Sequence, residues 1–185
     1  MEKKVLYLYT RDSNYDDIIT FLKMYKKVTF SKITNNTLVA LADDDFSFSD
    51  FSKLSELLLE ELLVNFVGLY LPDNFDLSVN DLETGFKKIN TKVYDITSFI
   101  IEICLEKEVN LQKKLRSYYY NLVGIDNINT VLGFIENNFN ASKTSKNLYL
   151  HRNTLNYRLE HFALKTEMDI KKFQTALAIY LLFKR

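Results

Sequence analysis

Asn140-Ala-Ser-Lys-Thr-Ser-Lys-Asn-Leu-Tyr-Leu-His-Arg-Asn-Thr-Leu-Asn-Tyr-Arg-Leu159 decides how the C-terminal third of this 185-residue chain folds. The pattern predicts two short helices, about 142–148 and 152–164, joined by only Tyr149 to His151, which is a helix-turn-helix. Ser145 is the small residue expected where the first helix closely approaches the second, and Leu148 and Leu150 bracket the turn. Taking Leu155 as the inward reference and about 100° of rotation per residue, Leu155, Leu159 and Phe162 form one stripe. The outward arc then holds Asn153, Thr154, Asn156, Tyr157, Glu160 and His161, with Arg152 and Arg158 on its flanks. Asn, Thr and Arg can reach base edges or phosphates, and the second helix of such a motif is the one that enters the major groove. The chain has 19 Lys and only five Arg, yet two of the Arg fall in this helix. Arg where Lys is otherwise preferred points to a use for the guanidinium fork.

Helices flank the motif on both sides. One is expected from Asn129 or Thr130, as cap, to Asn137, burying Val131, Phe134 and Ile135; another over about 169–183 carries Phe173, Leu177, Tyr180 and Leu181 as its stripe. Charge supports a separate role for this end. The whole chain is neutral, but from Asn129 onward nine basic residues face four acidic ones, against 15 and 20 in residues 1–128. A basic segment beside an acidic remainder is the asymmetry of a module that meets a polyanion.

His151-Arg152-Asn153-Thr154-Leu155-Asn156-Tyr157-Arg158-Leu159 closely resembles the signature of PucR/CdaR-type bacterial transcription regulators, where it lies in a C-terminal helix-turn-helix domain. Phe134-Ile135-Glu136-Asn137-Asn138-Phe139-Asn140 is similar to the entry helix of that domain, so the resemblance covers about 129–185. The sequence departs from the family at Glu167, where Gly usually follows the recognition helix, and at Ser145, which stands for a common Ala. Upstream, Val67-Gly68-Leu69-Tyr70 followed by 82–89 resembles the family's central region, which is similar to a degenerate diguanylate-cyclase-type fold. Val93-Tyr94-Asp95 leading into 96–109 resembles its domain connection. The chain is short for the family, so a separate N-terminal sensor is expected to be missing or reduced to 1–71.

Residues 1–71 alternate short strands and helices. Val5-Leu6-Tyr7-Leu8-Tyr9 reads as a strand, and 14–27 as a helix with Ile18, Ile19, Leu22 and Tyr25 on one face and Ser13 or Asn14 as cap. Strands at 28–33 and 38–42 flank the turn Asn35-Asn36. A helix over 50–66 repeats Phe51, Leu54, Leu58, Glu61/Leu62 and Asn65, and a strand at 67–71 ends at Pro72-Asp73-Asn74. The order βαββαβ is that of a ferredoxin-like split unit. Beyond 80 the chain reads as wholly helical: 81–89, 95–109 with Phe99, Ile100, Ile103 and Val109, and 111–122 with Leu115, Tyr118, Tyr119 and Leu122. Gly124 and Asp126-Asn127 interrupt the pattern. The expected fold class is therefore α+β. A βαββαβ (ferredoxin-like or degenerate cyclase-like) domain with a helical extension fills 1–124, for dimerisation or effector response. An all-α helix-turn-helix domain fills 129–185.

Composition narrows the chemistry. One Cys allows no intrachain disulfide, and with two His no Cys/His zinc framework can be built. No Gly-rich phosphate loop, nucleophile elbow, paired catalytic motif or Gly-Gly-acidic cyclase motif is present. No enzyme activity, catalytic residue, cofactor or metal is therefore expected. No apolar stretch is long enough for a membrane helix, and the apolar start meets Arg11 and Asp12 too soon for a signal peptide, so the expected setting is the cytoplasm without membrane contact. Asp43-Asp44-Asp45 reads as solvated capping acid more readily than as a metal site, Cys104 as core, and His151 as a helix-start or turn hydrogen-bonding residue. His161 either touches a phosphate or is solvated. Arg158 either meets DNA or pairs with Glu136 or Glu160. Part of Tyr118-Tyr119-Tyr120 is core, though such a run could stack on bases.

The resulting expectation is a DNA-binding transcription regulator contacting its operator through 141–164. Lys143, Lys146 and Arg152 would position phosphates, Asn153, Asn156 and Tyr157 would read bases, and Thr154, Arg158 and His161 complete the set. Its partners would be double-stranded DNA, a second copy of the chain in a homodimer, and a small-molecule or protein effector. The rival is a protein-interaction or small-ligand-binding module whose helix-turn-helix is vestigial.

Overall fold

Val5-Leu6-Tyr7-Leu8-Tyr9 is apolar at every position, and all five side chains are buried. A strand covered in this way lies inside a sheet with layers on both faces. The computed structural model describes residues 4–11, 15–24, 27–72 and 75–184, which fall into two compact units, Met1–Leu111 and Gln112–Arg185. The caps expected at Ser13 or Asn14, the placement of Tyr25 and the Asp73-Asn74 turn lie outside the described residues.

The first unit runs β1 (Lys4–Tyr9), α1 (Tyr15–Met24), β2 (Val28–Thr34), β3 (Thr37–Ala42), α2 (Phe48–Leu62), β4 (Val67–Pro72), α3 (Val79–Phe86), β5 (Val93–Asp95) and α4 (Ile96–Leu105). The sheet order is β2-β3-β1-β4-β5. β1 is antiparallel to β3, from Lys4↔Ala42 to Tyr9↔Thr37, and to β4, from Lys4↔Pro72 to Tyr9↔Val67. Thus β1 and β2 run the same way with β3 between them, and β3 and β4 run the same way with β1 between them. This is the split βαββαβ arrangement expected from the sequence. The β2–β3 hairpin turns at Asn35-Asn36, with Asn35 in left-handed backbone (φ 52), which Asn tolerates. On one face Leu6, Leu8, Leu38 and Ala40 pack with Ile18 and Leu22 of α1 and Phe51, Leu54 and Leu58 of α2. α2 starts at a capping box, in which Ser47 and Asp50 satisfy each other's backbone amides. Its last residue is Leu62, four residues before the expected end, because Leu63 takes left-handed backbone with φ 53.

The stretch beyond 80 is not wholly helical. Val93–Asp95 forms β5, parallel to β4 in the register Gly68↔Val93 to Tyr70↔Asp95. Three residues are too few to display an alternation, so the strand exists because β4 offers a free edge. Gly68 makes the close approach possible, since a Cβ there would lie 2.6 Å from Val93 Cγ1 and 2.9 Å from Phe51 Cζ. α3 ends at Phe86 rather than Ile89, although Ile89 remains buried in the following turn. α4 is closed by Lys107 (φ 54), so Val109 is not on its face; it is instead the exposed first residue of the next helix.

That helix, α5 (Val109–Val123), leads into the second unit, followed by α6 (Ile125–Glu136), α7 (Ala141–Asn147), α8 (Arg152–Thr166) and α9 (Phe173–Lys184). Three expectations fail here for local reasons. Gly124 (φ 83) alone separates α5 from α6, and Asp126-Asn127 sit inside the first turn of α6, where an acid suits the positive helix end. Neither Asn129 nor Thr130 is the cap: Thr130 is buried within the helix, its hydroxyl donating to the Asp126 carbonyl at 2.7 Å. α9 begins at Phe173, since Asp169 to Lys172 form a turn, and its inward face is Thr175, Ala176, Ala178, Ile179 and Leu182. Phe173 is 75% exposed and Tyr180 is exposed as well, because Ile179 and Leu182, with the small residues beside them, take the inward face. Tyr119 is buried, its hydroxyl meeting Met168 Sδ at 3.3 Å; burial raises the pKa of its phenol. Tyr120 stacks edge-on with Phe183.

Candidate nucleic-acid interface

α7 is only seven residues long and depends on its ends. The Asn140 side chain accepts from the Lys143 amide at 2.9 Å, and Thr144 donates to the Asn140 carbonyl at 2.8 Å. Thr144 is the buried residue of α7, so the place expected for Ser145 is one position earlier; the Ser145 hydroxyl turns back to Ser142. Asn147 donates to Asn137 Oδ1 at 2.7 Å, tying α7 to the end of α6. Leu148 packs on Gly133 of α6, where a Cβ would lie 2.9 Å from Leu148 Cδ1. These contacts fix where the turn begins.

α8 starts at His151, whose Nδ1 accepts from the Asn153 amide at 3.2 Å, the role expected for it. Leu155 and Phe162 are fully buried and Leu159 is half-buried, giving the inward stripe as expected. The structure brings Arg152, Asn153, Thr154, Asn156 and Tyr157 together on the exposed face of α8, with Tyr157 66% exposed. Lys143 and Lys146 are exposed on α7. Lys143, Lys146 and Arg152 have no acidic partner among the described residues, so their charge is open to an anion. Asn156 also borders a cavity of about 360 Å³ floored by Phe134, Phe139 and Leu159.

Two of the candidate residues turn inward. Arg158 binds Asp126 Oδ2 at 3.0 Å and Thr130 Oγ1 at 3.2 Å, both on α6. It pairs with neither Glu136, which holds Lys184 at 2.8 Å, nor Glu160. His161 is half-buried, with Nδ1 3.4 Å from Asn127 Nδ2 and its ring tilted 6.0 Å from that of Tyr157. The sequence reading missed Asp126, Asn127 and Thr130 as the partners that hold α8 in place.

Other candidates resolve into structure. Asp45 pairs with Lys27 at 2.5 Å, and the Asp43 carbonyl accepts from the Phe46 amide. Among the described residues no group of three or more His, Cys, Asp and Glu side chains is placed to hold a metal. Cys104 is buried in α4. Among the described residues no helix is long and apolar enough to cross a membrane.

Comparison with known proteins places the motif. Residues 128–184 match the model of the PucR C-terminal helix-turn-helix domain. Over 51 residues, 28% of the chain, it is 47% identical to the uncharacterized protein YxkF of Bacillus subtilis (strain 168), covering 17% of that protein. Over 139 residues, 66% of the chain, it is 27% identical to the DNA-binding transcriptional activator AdeR of the same organism, covering 33% of it. The chain thus spans a third or less of the length of these curated relatives. A crystal structure of a regulator of polyketide synthase expression from Bifidobacterium adolescentis aligns with a TM-score of 0.48 and 13% identity, over 99% of this chain and 79% of that one. The match over 128–184 agrees with the resemblance read at 151–159.

Proposed function

We infer that this chain, which carries a PucR-type helix-turn-helix at 128–184, is a DNA-binding transcription regulator. The observation that carries the reading is the exposed face formed by Lys143 and Lys146 of α7 with Arg152, Asn153, Thr154, Asn156 and Tyr157 of α8, in a domain of that type. The cations and Arg152 suit phosphate oxygens, and the amides of Asn153 and Asn156 suit base edges in the major groove. Arg158 and His161 sit behind this face and act mainly through α6. The relation to AdeR supports the same reading, since that protein is a DNA-binding transcriptional activator.

Residues 1–124 supply dimerisation or effector response, and 129–185 contact the operator. A single helix-turn-helix makes few contacts, so two copies on half-sites about one helical turn apart give the specificity a regulator needs. The protein acts without catalysis, cofactor or metal, in the cytoplasm. The deciding experiment is the shift of duplex DNA by the purified full chain across a salt series. Binding that weakens steeply with salt supports the reading; no binding at low salt to a pool of genomic fragments overturns it. Light scattering that finds a monomer with and without DNA removes the dimer.

A further inference from the structure

The turn between α7 and α8 holds a residue whose side chain the fold does not use. Leu148 caps α7; the Tyr149 amide donates to the Lys146 carbonyl at 3.3 Å and the Leu150 amide to the Ser145 carbonyl at 2.9 Å. This pair of bonds requires the residue after the cap to take left-handed backbone, a position in which glycine is the common choice. Here it is Tyr149, with φ 53. The same ending closes α4 with Lys107 (φ 54) and α6 with Asn138 (φ 55), so left-handed backbone without glycine recurs in a chain with only four glycines. The side chain sets Tyr149 apart. Lys and Asn lose nothing in water, whereas a phenol ring gains from burial. Tyr149 is 96% exposed, more than any other large apolar or aromatic side chain among the described residues. Left-handed backbone subtracts from stability and the exposed ring returns nothing to the fold, so the ring is free for a contact outside it. Its position in the chain is three residues after Lys146 and three before Arg152, both exposed and both without an acidic partner among the described residues.

We propose that Tyr149 is a positioning residue for duplex DNA: its hydroxyl donates to a backbone phosphate oxygen beside α8, with the ring lying over the adjoining sugar. The proposal rests on the DNA-binding reading above and adds a contact that charge pattern does not mark. A hydrogen bond to an ionised phosphate is stronger than one between neutral groups. It fixes orientation and register on the duplex but carries no sequence information. Because the phenol is neutral, the contact does not replace a condensed counterion, so it leaves the salt dependence of binding unchanged.

The test compares Tyr149→Phe, Tyr149→Gly and Lys146→Ala in the full chain, on one genomic duplex that the wild type binds and one of scrambled sequence, across a KCl series. Tyr149→Phe removes only the hydroxyl and is expected to weaken binding to both duplexes about three- to tenfold, with the salt slope unchanged. Tyr149→Gly is expected to raise the melting temperature while weakening binding at least as much, a combination a merely structural residue does not give. Lys146→Ala serves as the charged reference, flattening the slope by about one. If both Tyr149 variants bind like wild type while Lys146→Ala weakens binding, the proposal fails and the DNA reading stands. A Tyr149→Gly variant that melts earlier also overturns it, since the ring would then be stabilising the fold. If the wild type shows no salt-dependent binding, the DNA reading fails, and the proposal with it.

Discussion

The guanidinium of Arg158, midway along α8, holds the carboxylate of Asp126 in the first turn of α6 at 3.0 Å, and the Thr130 hydroxyl one turn further on at 3.2 Å. One side chain thus fixes how α8 lies against α6. Asp126 is largely exposed, so solvent screens the pair and its energy is small. A double-mutant cycle of Asp126→Ala and Arg158→Ala, read by urea unfolding, is expected to give a coupling of about 0.5–1 kcal/mol. Strict additivity would show that the pair does not hold the helices. On DNA, Asp126→Ala is expected to leave the salt slope as it is.

That clasp also shows where the sequence is legible and where it is not. The hairpin at Asn35-Asn36, the stripe Leu155, Leu159 and Phe162, and the His151 cap follow from local rules that act within a few residues. Arg158 and Asp126 are 32 positions apart, and no local rule prefers Asp126 to the nearer Glu160 or to Glu136. β5 was illegible because three residues carry no period and its pairing depends on β4. The face of α9 was misread because Phe173 and Tyr180 were assigned inward, whereas Thr175, Ala176, Ala178, Ile179 and Leu182 are the residues that face the core. The exposure of Lys143, Lys146, Arg152, Asn153, Thr154, Asn156 and Tyr157 follows once the inward stripe is set, whereas the turn of Arg158 and His161 towards α6 does not. Tyr149 escaped, since nothing in its neighbours announces left-handed backbone.

Gly68 tests the pairing that the sequence did not reveal. A methyl group there meets Val93 Cγ1 at 2.6 Å and the Phe51 ring at 2.9 Å, and both belong to packed elements. Gly68→Ala is expected to cost about 1–3 kcal/mol by overpacking. Denaturant unfolding checks this, and hydrogen exchange at Val93–Asp95 is expected to quicken. Unchanged stability would mean that β5 and Phe51 give way without cost.

Alkali is expected to unfold the first unit through its buried phenols. Burial, then the charge of Glu102, pushes Tyr94 up to about 12; burial, then Glu83, does the same for Tyr15. The unfolded phenol ionises near pH 10. A raised folded pKa means that this stability is fully present below pH 10 and is lost as pH rises towards 12. Circular dichroism should show the urea midpoint falling across that window. Tyr94→Phe should make the fall shallower, although it gives up the hydrogen bond to the Asn90 carbonyl. A slope identical to wild type would remove Tyr94 from the account.

Glu167 caps α8 in left-handed backbone, φ 56 and ψ 19, the conformation that glycine adopts without a Cβ penalty. That conformation costs a residue with a Cβ about 1–2 kcal/mol, of which glycine's larger unfolded-state entropy returns part. Glu167→Gly is therefore expected to raise stability by about 0.5–1 kcal/mol. Glu167→Ala keeps the strain and is expected to bring no such gain. Thermal unfolding of the two variants decides it, and a stabilised Ala variant would point to the charge instead of the backbone.

On the proposed DNA-binding reading, the exposed face of α7 and α8 divides into residues that hold and residues that read. Lys143 and Lys146 end in ammonium groups without acidic partners among the described residues, and an ammonium can neutralise a phosphate of any sequence. Lys143→Ala or Lys146→Ala is therefore expected to weaken binding to all duplexes alike and to flatten the salt slope by about one for each phosphate no longer neutralised. Asn156 carries no charge but offers the donor and acceptor pair that matches an adenine edge. Asn156→Ala is expected to cost about 1–3 kcal/mol on the true operator, little on random DNA, and nothing in salt slope. Both side chains are exposed, so neither change should alter folding, whereas Leu155→Ala removes buried packing at about 2–5 kcal/mol. Titrations on the selected operator and on a scrambled duplex separate the two groups. If Asn156→Ala and Lys146→Ala behave alike on both duplexes, the reading face is assigned wrongly. If both leave binding untouched in a folded protein, the helix-turn-helix is a docking platform and not the DNA contact.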